Sequence, residues 1–417
     1  MGPELERLQP VAFLCHPYHR GGVTRWMIDA AVEWSRRGAE AWFVTVSPRR
    51  PFSGGIGRPT IQSLLARAVE ASGGSGPVCI TPAADWRFEF GTSEYRACSY
   101  AEALAVVDSG VPVIVSDAAD VWRASAMLAD RNPLIGVLHS DEDHYYALAR
   151  RYHESAAALV SVSAKIGASL DVALPSLGEL RATIPCGVPL GRFAAAPIPR
   201  PPRCPVRISW IGRVEERQKR VTDLPRIARE IIARGLPVEM RIAGDGPDQP
   251  LLERAIADQK VGHVTQLLGW QNSDAVASLL KESDVLVLPS NFEGTPVVAM
   301  EALASGCAVV ASRSSGLAHH ALAAGRRCVF LYDVGDVDAA ADAVYQAASV
   351  APEERAQAAL DLARAEFSIE RCVDRYHAVC EAVSHITATR ARFAPGWRSW
   401  PLVSNSAALV RSARANR

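Results

Sequence analysis

The sequence has no excess of charge of either sign, because its 45 Lys and Arg residues balance 45 Asp and Glu residues. Proteins that bind nucleic acid usually carry a strongly basic face, so the overall charge gives no reason to expect a nucleic-acid partner. The nine cysteines are scattered along 417 residues and include no Cys-x-x-Cys pair. That pattern is typical of an intracellular protein whose thiols stay reduced and pack as small apolar side chains.

Long apolar segments are lacking as well. No uninterrupted apolar run approaches the roughly 20 residues that cross a bilayer, and the first ten residues, MGPELERLQP, lack the basic flank and apolar core of a signal peptide. We therefore expect a cytoplasmic protein. The tail from Phe393 onward has two tryptophans and three final arginines. It allows two interpretations: a helix packed on the protein, or a peripheral contact with the inner face of a membrane or with a polyanionic acceptor.

The sequence does contain two series of short apolar runs separated by helical patterns. Such alternation is typical of a parallel sheet with helices on both faces. We therefore expect an α/β protein with two Rossmann-like domains. The runs of the first series are VAFLC (11–15), AWFVTV (41–46), VPVIVS (111–116), LIGVL (134–138) and ALVSVS (158–163), and those of the second are RISWI (207–211), VEMRIA (238–243), VTQLL (264–268), DVLVLP (284–289), AVVAS (308–312) and CVFLY (328–332).

A proline-rich segment, AAAPIPRPPRCP at 194–205, separates the two series. Because successive prolines disfavour both helix and sheet, we place a linker at 191–205 between an N-terminal domain (1–190) and a C-terminal domain (206–375). Residues 376–417 are expected to form a C-terminal helix and tail that pack back on the first domain. Open α/β sheets bind ligands at the carboxyl ends of their strands, so we expect a ligand in a cleft between the domains.

The segment LPSNFEGTPVVAMEALASGCAVVAS, residues 288–312, has the strongest functional pattern. A helix is predicted to begin near Pro296, and the free amides of its first turn can bind phosphate or sugar hydroxyls. Gly294 permits a close approach of the ligand to the backbone. Glu293 and Glu301 supply carboxylates, which accept hydrogen bonds from a ligand rich in hydroxyl groups. A solvated helix residue is the alternative for Glu301, but its apolar neighbours disfavour it.

The segment WIGRVEERQKR, residues 210–220, follows the first strand of the second domain. Arg213 and Lys219 are expected at the carboxyl edge of the sheet, where two fixed cations could offset the charge of a departing nucleoside diphosphate. Arginine suits bidentate phosphate contacts, and lysine acts as a point charge. A solvated basic run is the alternative, because Arg217 and Arg220 lie in the same segment. The carboxylates downstream favour the functional interpretation.

Two weaker patterns lie in the first domain. Gly21 and Gly22, in HRGGVTRW, could bring the backbone close to a diphosphate at the start of a helix, although an ordinary strand–helix turn would have the same sequence. His139, in IGVLHSDEDHYY, follows a predicted strand and could hydrogen-bond the transferred sugar or orient the acceptor. A lone histidine is more often structural.

Three further motifs are interpreted as structural. Asp141-x-Asp143 resembles a metal-binding pair, but we expect it to cap the helix that begins near Asp143. Asp336-x-Asp338 is explained in the same way. The glycine-rich AGDGP at 243–247 does not match a dinucleotide fingerprint, because its third glycine is replaced and no acidic residue follows at the required distance.

Together these residues resemble glycosyltransferase family 4, a group of retaining enzymes with the two-domain GT-B fold. The resemblance is strongest over 206–310, in GRVEERQKR, AGDGP, LLGW and FEGTPVVAMEALASG, and looser in RGGV, VLHSDE, SVSAKI and IPCGVP of the first domain. The chain departs from the family at two places. One additional residue separates Arg213 from Lys219, and Cys186 and Pro189 stand where the family often has Asn and Asp in Ile-Pro-Asn-Gly-Val-Asp.

The resemblance also implies roles for single residues. Arg213 and Lys219 look like the cations that bind the donor diphosphate in place of a metal. Glu293 resembles the residue that meets the sugar hydroxyls, and Glu301 the one that binds ribose. The implied catalytic residues are His139, Arg213, Lys219 and Glu293, and the implied donor-binding residues are Gly21, Gly22, Gly269 (beside the base), Gly294, Thr295, Pro296, Val297 and Glu301.

The activity implied by the resemblance is transfer of a hexose from a UDP- or GDP-sugar to a hydroxyl acceptor, with retention of configuration, in polysaccharide, glycolipid or glycoconjugate biosynthesis. It implies neither a metal nor a cofactor. The partners are the nucleotide sugar and an acceptor that is a glycan, a lipid-linked sugar or a small molecule. A sugar-nucleotide epimerase, a phosphorylase and an inactive binding subunit are alternatives on the same fold.

Overall fold

The structure is a computed structural model that describes residues 8–17, 21–47, 60–83, 88, 91–116, 118–175, 181–193, 205–323, 325 and 327–390. Contacts within the chain divide it into two compact units. Most of the predicted linker and the whole tail from Phe393 lie outside the described residues. Unit 1 consists of Met1–Val162, Ile166–Ile184 and Ile369–Arg417, and unit 2 consists of Ser163–Lys165 and Pro185–Ser368.

Unit 1 is built on a seven-stranded parallel sheet. Its strands are β1 (Val11–Leu14), β2 (Ala41–Val44), β3 (Val78–Ile80), β4 (Val113–Val115), β5 (Leu134–Leu138), β6 (Ala156–Ser161) and β7 (Arg181–Thr183). They lie in the order β3-β2-β1-β4-β5-β6-β7. Five of the seven are the predicted apolar runs. The sequence missed β3 and β7 because each has only three residues, and β7 exposes its polar side chains.

Helices cover the sheet of unit 1. They are α1 (Gly22–Arg36), α2 (Ile61–Ala71), α3 (Ser93–Leu104), α4 (Ala119–Met127), α5 (Asp143–Tyr152), α6 (Ala164–Ala173) and a C-terminal helix, Ile369–Arg390. The C-terminal helix packs on α1, where Trp26 Nε1 donates to Cys372 Sγ at 3.3 Å and Arg37 Nη1 donates to Asp374 Oδ1 at 2.5 Å. The boundary predicted at residue 376 falls within this helix.

Unit 2 is built on a six-stranded parallel sheet. Its strands are β8 (Val206–Ile211), β9 (Val238–Ala243), β10 (Thr265–Gly269), β11 (Val285–Leu288), β12 (Ala308–Ser312) and β13 (Val329–Tyr332). All six were predicted, and they lie in the order β10-β9-β8-β11-β12-β13. The strand order therefore reverses between β8 and β11. At such a reversal the connections leave the sheet in opposite directions, which opens a crevice at the carboxyl ends of the two strands.

The helices of unit 2 lie before, between and after its strands. They are α7 (Leu190–Phe193), α8 (Glu216–Lys219), α9 (Asp223–Ala233), α10 (Gln249–Asp258), α11 (Ser273–Glu282), α12 (Val297–Ala304), α13 (Ala318–Ala323), α14 (Val337–Ser349) and α15 (Pro352–Glu366). Helix α9 shows why they form: Leu224, Ile227, Ala228 and Ile231 recur at helical spacing and are buried. Across the part of the chain that the structure describes, no helix is both long enough and apolar enough to span a bilayer.

One of the two capping predictions is confirmed and the other is wrong. Asp336 caps α14, since its Oδ1 accepts a hydrogen bond from Ala339 N at 2.9 Å. At α5 the cap position falls on Glu142, which makes no capping hydrogen bond through its side chain. Asp141 instead accepts a hydrogen bond from the Tyr146 hydroxyl at 2.5 Å. The prediction failed because the helix begins one residue too late for Asp141 to be the cap.

Candidate functional site

The loop after β8 is held in place by the AGDGP segment of residues 243–247. Val214 N donates to Asp245 O at 2.9 Å, and Gly212 N donates to Ala243 O at 3.0 Å. A Cβ at Gly244, whose φ is +146°, would lie 1.8 Å from the carbonyl oxygen of Gly212. Because Gly244 has no Cβ, the two backbone segments can touch at this point. This contact fixes the start of the loop that carries Arg213 and Lys219.

The two predicted cations lie differently on that loop. Arg213 has a side chain that is 64% exposed and pairs with Glu215. Lys219 is the last residue of the short helix α8, and its side chain is mostly covered. The helix start is fixed by Asp248 Oδ2, which accepts a hydrogen bond from Glu216 N at 2.7 Å. Lys219 therefore has a defined position, whereas Arg213 has room to turn toward a ligand.

The loop after β11 is tied to the end of β12. Ser290 O accepts hydrogen bonds from Ser312 Oγ at 2.6 Å and from Ser314 Oγ at 2.7 Å. A Cβ at Gly316 would lie 2.1 Å from the carbonyl oxygen of Gly294, so the two backbones touch. The loop that carries Glu293 is therefore held by hydrogen bonds and by a close backbone contact, and most of it is buried.

Lys219 and Glu293, which are 74 residues apart in sequence, meet between these two loops. Lys219 Nζ donates to Glu293 Oε1 at 2.5 Å, and Ser290 Oγ donates to the same oxygen at 2.8 Å. Glu293 is buried, and a buried carboxylate needs both a countercharge and hydrogen bonds. The two loops follow β8 and β11, so the pair lies at the reversal of strand order in unit 2.

Helix α12 begins beside this pair. It starts at Val297, with Pro296 as its cap residue, and buries Ala299, Met300, Ala302 and Leu303 against the sheet. Glu301 is partly exposed, as are Val297 and Val298. Residues three and four positions apart share one face of a helix, so Glu301 lies on the exposed face one turn below the helix start. Thr295 and Gly294 precede the helix and are buried.

Gly269, the predicted neighbour of the base, ends β10 at the edge of the same sheet. Its φ is +64°, a backbone conformation that favours glycine. Its carbonyl oxygen accepts a hydrogen bond from Gly244 N at 2.8 Å, so it is joined to the AGDGP segment. Trp270 follows it with a side chain that is 40% exposed.

The candidate residues of unit 1 form a separate group. Gly21 is the cap residue of α1, and no heavy atom lies within 4 Å of where its Cβ would be. His139 follows β5 and is buried, with its ring centroid 5.1 Å from that of Trp26. Trp26 lies one turn after Gly22 on α1. The structure therefore brings His139 close to the first turn of α1 through Trp26.

Sequence reasoning missed the residues that connect the two loops of unit 2, chiefly Asn291. Its side chain bridges the loops: Asn291 Nδ2 donates to Arg217 O at 2.7 Å, and Arg220 Nη1 donates to Asn291 Oδ1 at 3.3 Å. A single asparagine in a loop has no periodicity or spacing that could have indicated this. Within the described residues, no group of three or more His, Cys, Asp and Glu side chains could hold a metal ion.

The family described as "Glycosyl transferases group 1" matches residues 205–349. Unit 2 contains a group 1 glycosyl transferase domain. The chain is 30% identical over 202 residues to phosphatidyl-myo-inositol mannosyltransferase of Mycolicibacterium smegmatis, covering 45% of this chain and 49% of the relative. It is 31% identical over 137 residues to the putative colanic acid biosynthesis glycosyltransferase WcaL of Escherichia coli, covering 31% of this chain and 33% of the relative. The chain thus spans a third to half of these relatives, and the predicted relationship to glycosyltransferases is confirmed.

Solved structures of other proteins resemble this chain over both of its units. HepE of Anabaena, in a crystal structure with UDP and glucose, has a TM-score of 0.65 at 16% identity, covering 90% of this chain and 100% of HepE. Sucrose-phosphate synthase of Thermosynechococcus elongatus has a TM-score of 0.68 at 16% identity, covering 91% of this chain and 100% of that protein. With the two parallel sheets described above, these likenesses confirm the predicted GT-B fold class.

Proposed function

We propose that the protein is a retaining glycosyltransferase that moves a hexose from a UDP- or GDP-sugar to a hydroxyl acceptor in polysaccharide, glycolipid or glycoconjugate biosynthesis. The match of residues 205–349 to the group 1 family supports the reaction class. Relatives named for colanic acid biosynthesis and for mannosyl transfer to phosphatidyl-myo-inositol support the acceptor class. The HepE structure with UDP and glucose supports the donor class.

The observation that carries the proposal is the Lys219–Glu293 pair at the reversal of strand order in unit 2. A cation and a carboxylate side by side match the two ends of a nucleotide sugar, which is anionic at the diphosphate and rich in hydroxyl donors at the sugar. The free amides at the start of α12 lie next in the chain and add donors for phosphate or sugar oxygens. Glu301, on the exposed face of that helix, is assigned to ribose.

In the proposed reaction, the bond from the sugar C1 to the diphosphate oxygen breaks and its electron pair leaves with the nucleoside diphosphate. Lys219 and Arg213 offset the charge that develops there, which is a large contribution when the cations are fixed in advance. The acceptor oxygen bonds to C1 from the same face, and its proton passes to the leaving phosphate. Glu293 holds the sugar hydroxyls, and His139 orients the sugar or the acceptor.

A screen of nucleotide sugars by thermal shift tests the donor assignment. A ligand present at 100 times its Kd stabilises the folded protein by about 2.7 kcal/mol, which raises Tm measurably. We expect a UDP- or GDP-sugar to raise Tm and other nucleotides to do so less. Release of nucleotide that depends on an acceptor then distinguishes a transferase from an epimerase, which needs donor alone. A requirement for inorganic phosphate would indicate a phosphorylase, and binding without turnover an inactive subunit.

Metal independence has its own test. Because side-chain cations are assigned to the diphosphate, turnover is expected to be unchanged, within about twofold, after treatment with EDTA. Initial rates of nucleotide release, measured with EDTA and then with added magnesium or manganese, check this. Loss of turnover in EDTA that either ion restores would contradict the role of Lys219 and Arg213 as replacements for a metal.

A further inference from the structure

Besides a hydrogen bond from Gln218 Nε2 to Phe292 O at 3.3 Å and a contact of Arg217 with the Phe292 ring, two sets of contacts join the loop that carries Lys219 to the loop that carries Glu293. The first set is the ion pair between these two side chains. The second set involves neither of them and is centred on Asn291. The backbone N of Asn291 donates to Gln218 O at 2.7 Å, and its side-chain Nδ2 donates to Arg217 O at 2.7 Å.

Arg220 completes the second set. Its Nη1 donates to Asn291 Oδ1 at 3.3 Å, while its Nε donates to Asp223 Oδ2 at 2.6 Å. Asp223 is buried, and the hydrogen bond to its carboxylate raises the pKa of the Arg220 guanidinium. Arg220 has a φ of +47°, which is the left-handed region and persists in a non-glycine residue only when the surroundings fix it. A Cβ at Gly335 would lie 3.1 Å from Arg220 Nη2, so the guanidinium also fills the space beside that turn.

A bound donor would affect these two sets of contacts differently. In the proposed reaction Lys219 binds the diphosphate and Glu293 binds the sugar hydroxyls, so donor binding replaces the contact between them. The contacts of Asn291 are assigned to no part of the donor and persist through that exchange. Without them, the loops would keep the ion pair, which the donor takes over, the hydrogen bond from Gln218 Nε2 to Phe292 O at 3.3 Å, and the contact of Arg217 with the Phe292 ring.

We infer that Asn291 is a positioning residue which, together with Arg220, holds the two loops at one separation, so that Lys219 and Glu293 reach the two ends of the donor at the same time. This inference rests on the proposed function. It predicts a specific defect, because the bare nucleotide lacks the sugar that Glu293 binds, whereas the nucleotide sugar needs Lys219 and Glu293 in register. A displacement of about 1 Å at a reacting group can reduce turnover by about a hundredfold.

The experiment is titration calorimetry of the full chain with UDP, GDP, UDP-glucose and GDP-mannose. In Asn291→Ala we expect the Kd for the bare nucleotide to stay within about threefold, and the Kd for the matching nucleotide sugar to rise about tenfold. Arg220→Lys should show the same pattern, because lysine keeps a charge beside Asp223 but cannot also bond Asn291. If Asn291 and Arg220 act as one unit, the Kd of the double variant for the nucleotide sugar should be no higher than that of the single variant that binds this ligand more weakly.

Asn132→Ala is a matched control in unit 1. Like Asn291, Asn132 joins two backbone segments through its side chain, since its Nδ2 donates to Asp108 O at 2.8 Å and to Val111 O at 3.0 Å. It lies at the amino end of β5, the opposite edge of its sheet from the predicted site. Its loss leaves two carbonyl groups without this donor and should lower Tm, but both affinities should match wild type.

The outcomes separate the inference from the proposed function. Equal weakening of nucleotide and nucleotide sugar by Asn291→Ala would show a structural role only and would overturn the inference. Wild-type affinity for both ligands in Asn291→Ala would overturn it as well, with the proposed function intact. If the wild-type protein binds none of the four ligands, the proposed function fails and the inference fails with it.

Discussion

The carboxyl edges of the two parallel sheets present their candidate residues in different ways. In unit 2, Lys219 and Glu293 follow adjacent strands and are joined at 2.5 Å. In unit 1, Gly22 and His139 follow β1 and β5, between which β4 lies, and Trp26 brings the two together. A buried ion pair organises the edge in unit 2, and ring packing organises the edge in unit 1. Substitutions in unit 2 should therefore have the larger effects on turnover.

The largest expected effect comes from breaking the charged pair. Glu293→Gln keeps the size of the side chain and an acceptor for Ser290 but removes the charge opposite Lys219. We expect it to lower turnover by about a hundredfold or more, as does the loss of one preorganised electrostatic group in other active sites. Lys219→Ala should have a similar effect. Initial rates with the donor found by thermal shift measure both.

Lys281→Ala serves as the control for this experiment. Lys281 lies in the last turn of α11 in the same unit, and its removal should leave turnover unchanged. Near-wild-type turnover in either Glu293→Gln or Lys219→Ala would contradict the assignment of this pair to the donor.

Replacing one glycine at each edge by alanine tests how closely the backbone is packed there. Gly244→Ala would place a Cβ 1.8 Å from Gly212 O at a φ of +146°, so it should lower the free energy of unfolding by about 2 kcal/mol or more. At Gly21 no atom lies within 4 Å and φ is −90°. There, Gly21→Ala should cost about 1 kcal/mol or less. Denaturant unfolding of both variants measures the difference, and equal stabilities would show that the two edges do not differ in this way.

The smallest expected effect is at His139. His139→Ala should lower turnover by about tenfold, the equivalent of one lost hydrogen bond of about 1.4 kcal/mol. His139→Phe preserves the ring contact with Trp26 and removes the proposed hydrogen bond from His139 to the sugar or the acceptor. Initial rates should fall equally in the two variants. Recovery of wild-type turnover in His139→Phe would assign His139 to packing and sharpen the contrast with unit 2.

Much of the fold could be predicted because buried parallel strands have a local signature. A strand covered on both faces must be apolar throughout, and eleven of the thirteen strands have that pattern over four or more predicted residues, although β4 itself has only three. Strands β3 and β7 were not predicted, because three residues are too few to establish a pattern. The capping error at Asp141 arose from a shift of one residue, to which capping is sensitive.

Only part of the candidate site could be predicted from the sequence. Lys219 and Glu293 were selected by residue type and by their place after strands, but their direct contact was not predicted. Asn291 and Arg220 were missed as connecting residues because their partners are 71 to 74 residues away. The role of Gly244 was also hidden, since its close approach to Gly212 O exists only in the folded sheet.

The sequence by itself determined the strands, the helices between them and the chemical groups that follow each strand, because burial and backbone geometry act over a few neighbouring residues. The tertiary structure alone decided that β8 lies beside β11 rather than at an edge. Strand order follows from how the helices pack on the two faces of the sheet, which no local pattern encodes. That order places the ammonium of Lys219 against the carboxylate of Glu293 and lets Asn291 hold their loops together.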